Sequence, residues 1–207
     1  MTEQELRVLV TQKLLPLNKE ARPPVTSDFD LNPQYRAVIG PRTLRQAAVL
    51  VPLITREAGL SVLFTQRAAD LPSHAGQVSF PGGRVQPEDD GPVGTALRET
   101  QEETGIAPRF VEPLGMLDPY ETVTGFAVSP VVGLVHPGFD LKPDPREVAH
   151  VFEAPFTFLM NPANQETHTR EWEGRTRVFY AVPYDGHYIW GATAGMLMNF
   201  YRRLFES

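Results

Sequence analysis

One short segment, residues 96–106, constrains this chain more than any other. Its sequence, ALRETQEETGI, predicts the last two turns of a helix that a glycine ends. Glu99, Glu102 and Glu103 are three and four residues apart, so a helix places them on one flank. Repulsion between them would be relieved by a hard divalent cation such as Mg²⁺, which takes one or two carboxylates together with substrate phosphates. The segment therefore predicts a metal site for a phosphorylated substrate, and a solvated acidic face is the alternative.

Composition narrows the class of protein further. A length of 207 residues suits one domain with a short extension. The absence of cysteine excludes disulfides, thiolate metal sites and cysteine nucleophiles. A net charge of -6 argues against a nucleic-acid partner. The acidic N-terminus does not match a signal peptide, and no apolar run approaches the roughly 20 residues that span a bilayer. We expect a cytoplasmic protein without a membrane partner.

The N-terminal region differs in pattern from the rest of the chain. Residues 2–15 place apolar side chains loosely on one helical face, with Thr2 as the N-cap. Residues 16–43 are rich in Pro, Asn, Asp and Arg, which predicts a surface connection. We therefore divide the chain into an N-terminal helix and connection, residues 1–43, and a main domain, residues 44–207. The helix is expected to cover the core or to form a dimer contact, so the protein is either a monomer or a homodimer.

The main domain alternates strands with a few helices. Apolar residues predict a hairpin of two strands, 47–54 and 60–67, and then a short strand that ends in a turn at Gly82 and Gly83. Pro92 at its start and Gly105 at its end delimit the glutamate helix. Further patterns predict strands at 109–118 and 123–136, a turn or short helix at 146–152, a hairpin at 166–173 and 176–183, and a last helix at 192–205. The layout indicates the α+β class, as a helix–mixed β-sheet–helix sandwich.

The string that begins at Gly83 resembles the Nudix hydrolase signature, G-x5-E-x7-R-E-U-x-E-E-x-G-U, where U is apolar. Its second half is complete, except that Thr100 stands at an apolar position. The interval from Gly83 to Arg98 is fifteen positions, one more than the signature allows. The first acidic residue is therefore either Asp89, counted forward from Gly83, or Asp90, counted back from Arg98.

The extra residue resembles a variant found in the coenzyme A (CoA) pyrophosphatase branch of the Nudix family. That branch also carries an upstream motif, about L-L-T-x-R-x3-L-R-x-H-x-G-Q-x2-F-P-G-G, which residues 63–83 resemble with Phe64 and Pro72 as departures. The resemblance implies a Nudix-like fold over residues 45–205. It also implies hydrolysis of CoA or its derivatives to 3′,5′-ADP and 4′-phosphopantetheine. Alternatives are another nucleoside diphosphate substrate, such as NADH or an ADP-sugar, and a catalytically weak nucleotide-binding module.

The same resemblance assigns roles to individual residues. Glu99 and Glu103 are the first choice of ligands for Mg²⁺ or Mn²⁺, with a backbone carbonyl of Gly83. Glu102 either joins them or is held by Arg98, its i,i+4 neighbour. Glu99 is also expected to orient or deprotonate the attacking water, and these residues together with Arg98 form the predicted catalytic set.

A later residue, Glu147, is the candidate general base, with a purely structural role as the alternative. Four further residues are expected substrate contacts, although ordinary loop or ion-pairing roles fit them too; they are Arg67, His74, Gln77 and Arg84. Two aromatic residues, Phe126 and Trp190, are expected in the core.

Overall fold

Five α-helices and twelve strands form the part of the chain that the computed structural model describes, residues 2–172 and 174–206. The helices are α1 (Glu3–Lys13), α2 (Pro33–Ile39), α3 (Gly91–Thr104), α4 (Phe156–Leu159) and α5 (Ala192–Phe205). The strands are β1 (Thr26–Ser27), β2 (Arg45–Arg56), β3 (Gly59–Arg67), β4 (Val78–Ser79), β5 (Gly82–Arg84), β6 (Val111–Met116), β7 (Tyr120–Glu121), β8 (Phe126–Val135), β9 (Val148–Pro155), β10 (Glu166–Trp172), β11 (Arg175–Tyr184) and β12 (His187–Trp190). Single 3-10 turns lie at Pro108–Phe110 and Pro162–Asn164.

Strands β1 to β9 form one mixed sheet in the described residues, with β2 at its centre. Strand β2 runs parallel to β8 over ten residue pairs and antiparallel to β3 and β5. Strand β3 in turn pairs with β4 and β9, so the end of β3 is enclosed by two later segments of the chain. The remaining strands, β10 to β12, form a separate antiparallel sheet.

Helices cover both faces of the large sheet, as the predicted sandwich requires. Because side chains alternate along a strand, even-numbered residues of β2 such as Leu50 pack with Leu63 and with Ala96 of α3. Odd-numbered residues of β2 pack toward α1, α4 and α5, in a cluster that includes Phe64 and Phe200. The predicted α+β architecture is confirmed, and α3, which carries the three glutamates, packs on one face of the large sheet.

The connection at 16–43 is more ordered than its composition predicts. It contains β1, which pairs in parallel with β7, and the short helix α2. The Asn32 side chain donates a 2.7 Å hydrogen bond to the carbonyl of Val178 and accepts a 2.8 Å bond from its N–H. An amide side chain thus pairs with the β11 backbone as a strand would, which holds the connection against the main domain.

Several predicted elements are confirmed. Helix α1 begins with a complete capping box at Thr2, and α3 ends at Gly105, whose φ of 81° lies in the left-handed region. The β2–β3 hairpin, the β10–β11 hairpin and helix α5 occur where they are predicted, apart from Glu173, which lies outside the described residues. No helix in residues 2–172 and 174–206 is long and apolar enough to cross a membrane.

Two local predictions are wrong. Gly82 and Gly83 do not form a turn; they belong to β5, lie opposite Val49 and Ala48 of β2, and have no positive φ. The turn or short helix predicted at 146–152 is a turn only up to Glu147, after which β9 begins. In both places pairing with a distant strand overrides the local pattern.

Candidate active site

The three glutamates of α3 occupy different environments. Glu103 is buried, with 4% of its surface exposed, and Glu99 keeps 14% of its side chain exposed. Glu102 is 58% exposed and points toward Arg98. The spacing predicts one shared flank, but burial along it increases from Glu102 through Glu99 to Glu103. The two more buried carboxylates are therefore those of Glu99 and Glu103.

Glycines of β5 allow α3 to lie directly on the strand backbone. A Cβ atom added at Gly83 would lie within 3.0 Å of the Glu99 carboxylate, and one added at Gly82 would lie within 3.0 Å of the Val49 backbone. These residues are therefore required to be glycine for close approach rather than for turn formation. Thr100, the departure from the apolar pattern, is fully buried, and its hydroxyl donates a 2.6 Å hydrogen bond to the Ala96 carbonyl within the helix.

Arg98 connects the acidic groups around the start of α3. Its Nε and Nη2 donate bonds of 2.8 and 2.9 Å to the two carboxylate oxygens of Asp89. Its Nη1 donates bonds of 2.9 Å to Glu99 and to Glu102. Bonds from Arg98 hold the pKa of Asp89 far below its ordinary value, while Asp90 is exposed and pairs with Lys19. The ambiguity left by the longer loop is thereby resolved, because Asp89 is the acid that contacts the arginine.

The buried carboxyl of Glu103 lacks part of its hydrogen bonding. Its Oε2 is buried without a hydrogen bond in the described part of the chain. Burial raises the pKa of Glu103 from 4.5 to about 8; the charge of Glu99 adds to the rise, and Arg67 opposes it. Burial also raises the pKa of Glu99, although Arg98 opposes that rise. Ionising these two neighbouring carboxyl groups therefore costs free energy unless a cation lies nearby.

This donor set fits a hard divalent cation. Among residues 2–172 and 174–206, no group of three or more His, Asp or Glu side chains is arranged to hold a metal ion. The pair Glu99 and Glu103 nevertheless supplies the two carboxylates that Mg²⁺ takes when substrate phosphates complete its shell. The unpartnered Oε2 of Glu103 is the observation in favour of this fit.

The ends of β3 and β9 bring two more predicted residues to the glutamates. Arg67, the last residue of β3, lies opposite Val148 of β9, and its Nε is buried without a partner among the described residues. Glu147 is exposed immediately before β9, and its carbonyl accepts a 2.8 Å bond from the N–H of Ala68. The charge of Glu147 raises the pKa of both Glu99 and Glu103, so it lies close enough to interact with both.

The other predicted substrate contacts lie farther out. His74 has a positive φ of 57°, and its Nδ1 lies 2.9 Å from Oε1 of Gln77. Arg84 is exposed at the end of β5, where its guanidinium lies 5.5 Å from the ring of Phe126. None of these three side chains contacts a glutamate of α3 by a hydrogen bond or ion pair in the described residues.

A cavity of about 420 Å³ lies next to this loop. Residues Gln66 and 75–78 form one wall, and Arg170, His187, Tyr188 and Trp190 of the second sheet form the other. The core position predicted for Trp190 is wrong, because this side chain is only partly buried and lines the cavity. Sequence reasoning missed the other three because they lie about 100 residues beyond Gln66 and match no motif.

Comparison with known proteins finds a matching family model, similar sequences and similar solved structures. The NUDIX domain model matches residues 44–186. A relative from Citrobacter koseri, "Uncharacterized Nudix hydrolase NudL", is 42% identical over 153 residues, which is 74% of this chain and 79% of the relative. A protein of the same name from Cronobacter sakazakii is 43% identical over 154 residues, again 74% of this chain and 79% of the relative. The solved MutT/nudix family protein from Enterococcus faecalis is 13% identical, with 100% of this chain and 74% of that one covered at a TM-score of 0.47.

The family model and the two relatives define the class to which the protein belongs. The chain is a member of the Nudix family. It is a Nudix hydrolase, and members of this family generally use divalent metal ions.

Proposed function

We propose that the chain hydrolyses the diphosphate bond of CoA or its derivatives, giving 3′,5′-ADP and 4′-phosphopantetheine or its acylated form. The observation that carries the diphosphatase chemistry is the buried pair of Glu99 and Glu103, in which one carboxylate oxygen has no partner. The motif over residues 63–83 is what favours a CoA substrate within the family.

Glu99 and Glu103 would hold the cation, Mg²⁺ or Mn²⁺, with the Gly83 backbone beside them. When bound, a divalent cation neutralises charge on the diphosphate and lowers the pKa of a water molecule. Arg98 fixes Glu99 and Glu102 through its two 2.9 Å bonds and is itself fixed by Asp89. Glu102 thus acts by holding this arginine and by its negative charge next to Glu99.

Residues near the end of β3 and the start of β9 would transfer the proton and bind the substrate. Glu147 is exposed and carries no ion pair in the described residues, so it is free to accept a proton from the attacking water as general base. Arg67, with its unpaired Nε, would bind a phosphate oxygen. The outer residues His74, Gln77 and Arg84 would contact the remainder of the substrate.

A substrate panel tests the proposal. Purified protein is incubated with Mg²⁺ or Mn²⁺ and, separately, with CoA, an acyl-CoA, NADH and ADP-ribose, and the products are separated by chromatography. We expect CoA or acyl-CoA to be cleaved fastest. Much faster cleavage of NADH or ADP-ribose would refute the CoA assignment, and tight nucleotide binding without turnover at either metal would indicate a binding module.

Two matched variants test the site itself. Glu103→Gln removes one proposed ligand at nearly constant volume, and we expect it to abolish hydrolysis while the fold is retained. Glu102→Gln makes the same change of charge at a 58% exposed position and should retain more activity. A fully active Glu103→Gln protein would exclude Glu103 from the site.

A further inference from the structure

We propose that the cavity between residues 75–78 and β12 binds the 3′-phosphoadenosine half of the substrate. His187 would stack on the adenine, and Arg170 would bind the 3′-phosphate. This inference rests on the proposed function, because it assumes a CoA-like substrate. The cavity volume of about 420 Å³ falls within the range of roughly 300–1,000 Å³ that small-molecule sites occupy.

A column of parallel rings leads from the core to this cavity. The rings of Phe80 and Phe64 are 5.1 Å apart at 22°, and those of Phe64 and Phe152 are 5.4 Å apart at 21°. His187 follows, with its ring 3.7 Å from that of Phe152 at 3° and 5.5 Å from that of His150 at 9°. Phe64 and Phe80 are buried, whereas His187 both belongs to the column and lines the cavity. A planar base is the group that would extend such a stack.

The other lining groups match a nucleotide rather than a flexible amide chain. Gln66 and Gln77 place primary amides in one wall, which can both donate to and accept from the edge of a purine. Opposite them, Arg170 is exposed and has no carboxylate partner within residues 2–172 and 174–206. A free guanidinium favours a phosphate. Pantetheine has neither a ring to stack nor a second phosphate for this arginine.

The cavity and the glutamates meet at the end of β3. Gln66 lines the cavity, and the next residue, Arg67, interacts with the charge of Glu103 on the other face of the sheet. The pairing of β3 with β9 shifts register between these two residues, an irregularity that changes the direction of neighbouring side chains. A substrate with its diphosphate at Arg67 would therefore reach the cavity by passing around the end of this strand.

The wall nearest the diphosphate is held in place by the backbone. Arg67 donates from its N–H to the carbonyl of Gln77 at 3.0 Å and accepts from the N–H of Gly76 at 3.1 Å. The Gln66 side chain donates a 3.3 Å bond to the Gly76 carbonyl. The wall is thus formed before a ligand arrives, which reduces the ordering cost of binding.

Binding of 3′,5′-ADP, measured by isothermal titration calorimetry in EDTA, tests the site without catalysis. We expect His187→Ala to weaken binding about tenfold, as loss of one base-stacking partner does, and His187→Phe to restore most of it. Arg170→Ala should weaken 3′,5′-ADP about tenfold but leave 5′-AMP unchanged. Arg175→Ala is the matched control, because it removes an equal charge from an exposed position outside the cavity.

The outcomes distinguish this site from the proposed function. No binding of 3′,5′-ADP to the wild type, or equal losses from Arg170→Ala and Arg175→Ala, would overturn the assignment. If the variants change 3′,5′-ADP binding as expected while CoA is not hydrolysed, the site stands and the proposed function fails. If CoA is hydrolysed and none of the cavity variants changes its KM, the function stands and the site is wrong. Circular dichroism of His187→Ala checks its folding, and the exposed Arg170 gives an independent test.

Discussion

The buried Glu103 carboxyl predicts an unusual dependence of stability on pH. In the folded protein without a cation its pKa is raised to about 8, and in the unfolded chain it returns to the ordinary 4.5. Between these pH values the unfolded state binds fewer protons than the folded state, so the free energy of unfolding falls as pH rises. Linkage through these two pKa values gives a loss of roughly 3.5 kcal/mol between pH 5 and pH 8. For a chain of this length that corresponds to about 10 °C in Tm.

Glu103→Gln removes this titration while it keeps the shape of the side chain. We therefore expect the free energy of unfolding of the variant to exceed that of the wild type by about 4.5 kcal/mol at pH 8, and by only about 1 kcal/mol at pH 5. Urea denaturation in EDTA, followed by circular dichroism across this pH range, measures both values. Glu102→Gln, an equal change at a 58% exposed position, should show no such trend. A constant difference between wild type and Glu103→Gln at every pH would refute the reasoning.

Three further predictions concern the surroundings of this carboxyl. Gly83→Ala places a Cβ within 3.0 Å of the Glu99 carboxylate; we expect the displaced carboxylate to lower kcat about 100-fold, and unchanged kcat would contradict the close packing. Asp89→Asn weakens the bidentate, charge-assisted pair with Arg98 and should lower the free energy of unfolding by about 2–3 kcal/mol, measured in urea at pH 7, where an unchanged midpoint would refute it. Asn32→Ala removes two hydrogen bonds to the β11 backbone and should cost about 2 kcal/mol, with faster proteolysis within residues 16–43; equal cleavage rates would show that this amide does not hold the connection.

Local sequence patterns predicted the elements whose stability depends mainly on neighbours along the chain. Helices α1, α3 and α5 were identified from periodicity, from the cap at Thr2 and from Gly105, and each of these signals acts within a turn or two. The β2–β3 hairpin was also predictable, because a short turn joins two apolar strands. Elements of this kind require no knowledge of distant partners.

The errors occur where a distant partner determines the structure. Gly82 and Gly83 fit a turn by composition, yet pairing with β2 extends them into a strand. Residues from Val148 onward fit a short helix, yet β3 provides an edge to which they pair. The cavity is the extreme case, because one wall comes from the loop after β3 and the other from a sheet that begins at Glu166. Sequence alone offers no means of placing those walls together.

The different burial of the three glutamates is partly predictable, because it needs one tertiary contact in addition to the local pattern. Ala96 and Thr100 of α3 are both buried against the sheet. At about 100° per residue, Glu103 lies about 20° around the helix from Ala96, Glu99 about 60° and Glu102 about 120°. That order is the observed order of burial, from Glu103 through Glu99 to the exposed Glu102. Once one buried residue of the helix is known, helix geometry alone therefore identifies Glu99 and Glu103, the two proposed metal ligands, as the inner carboxylates and Glu102 as the outer one.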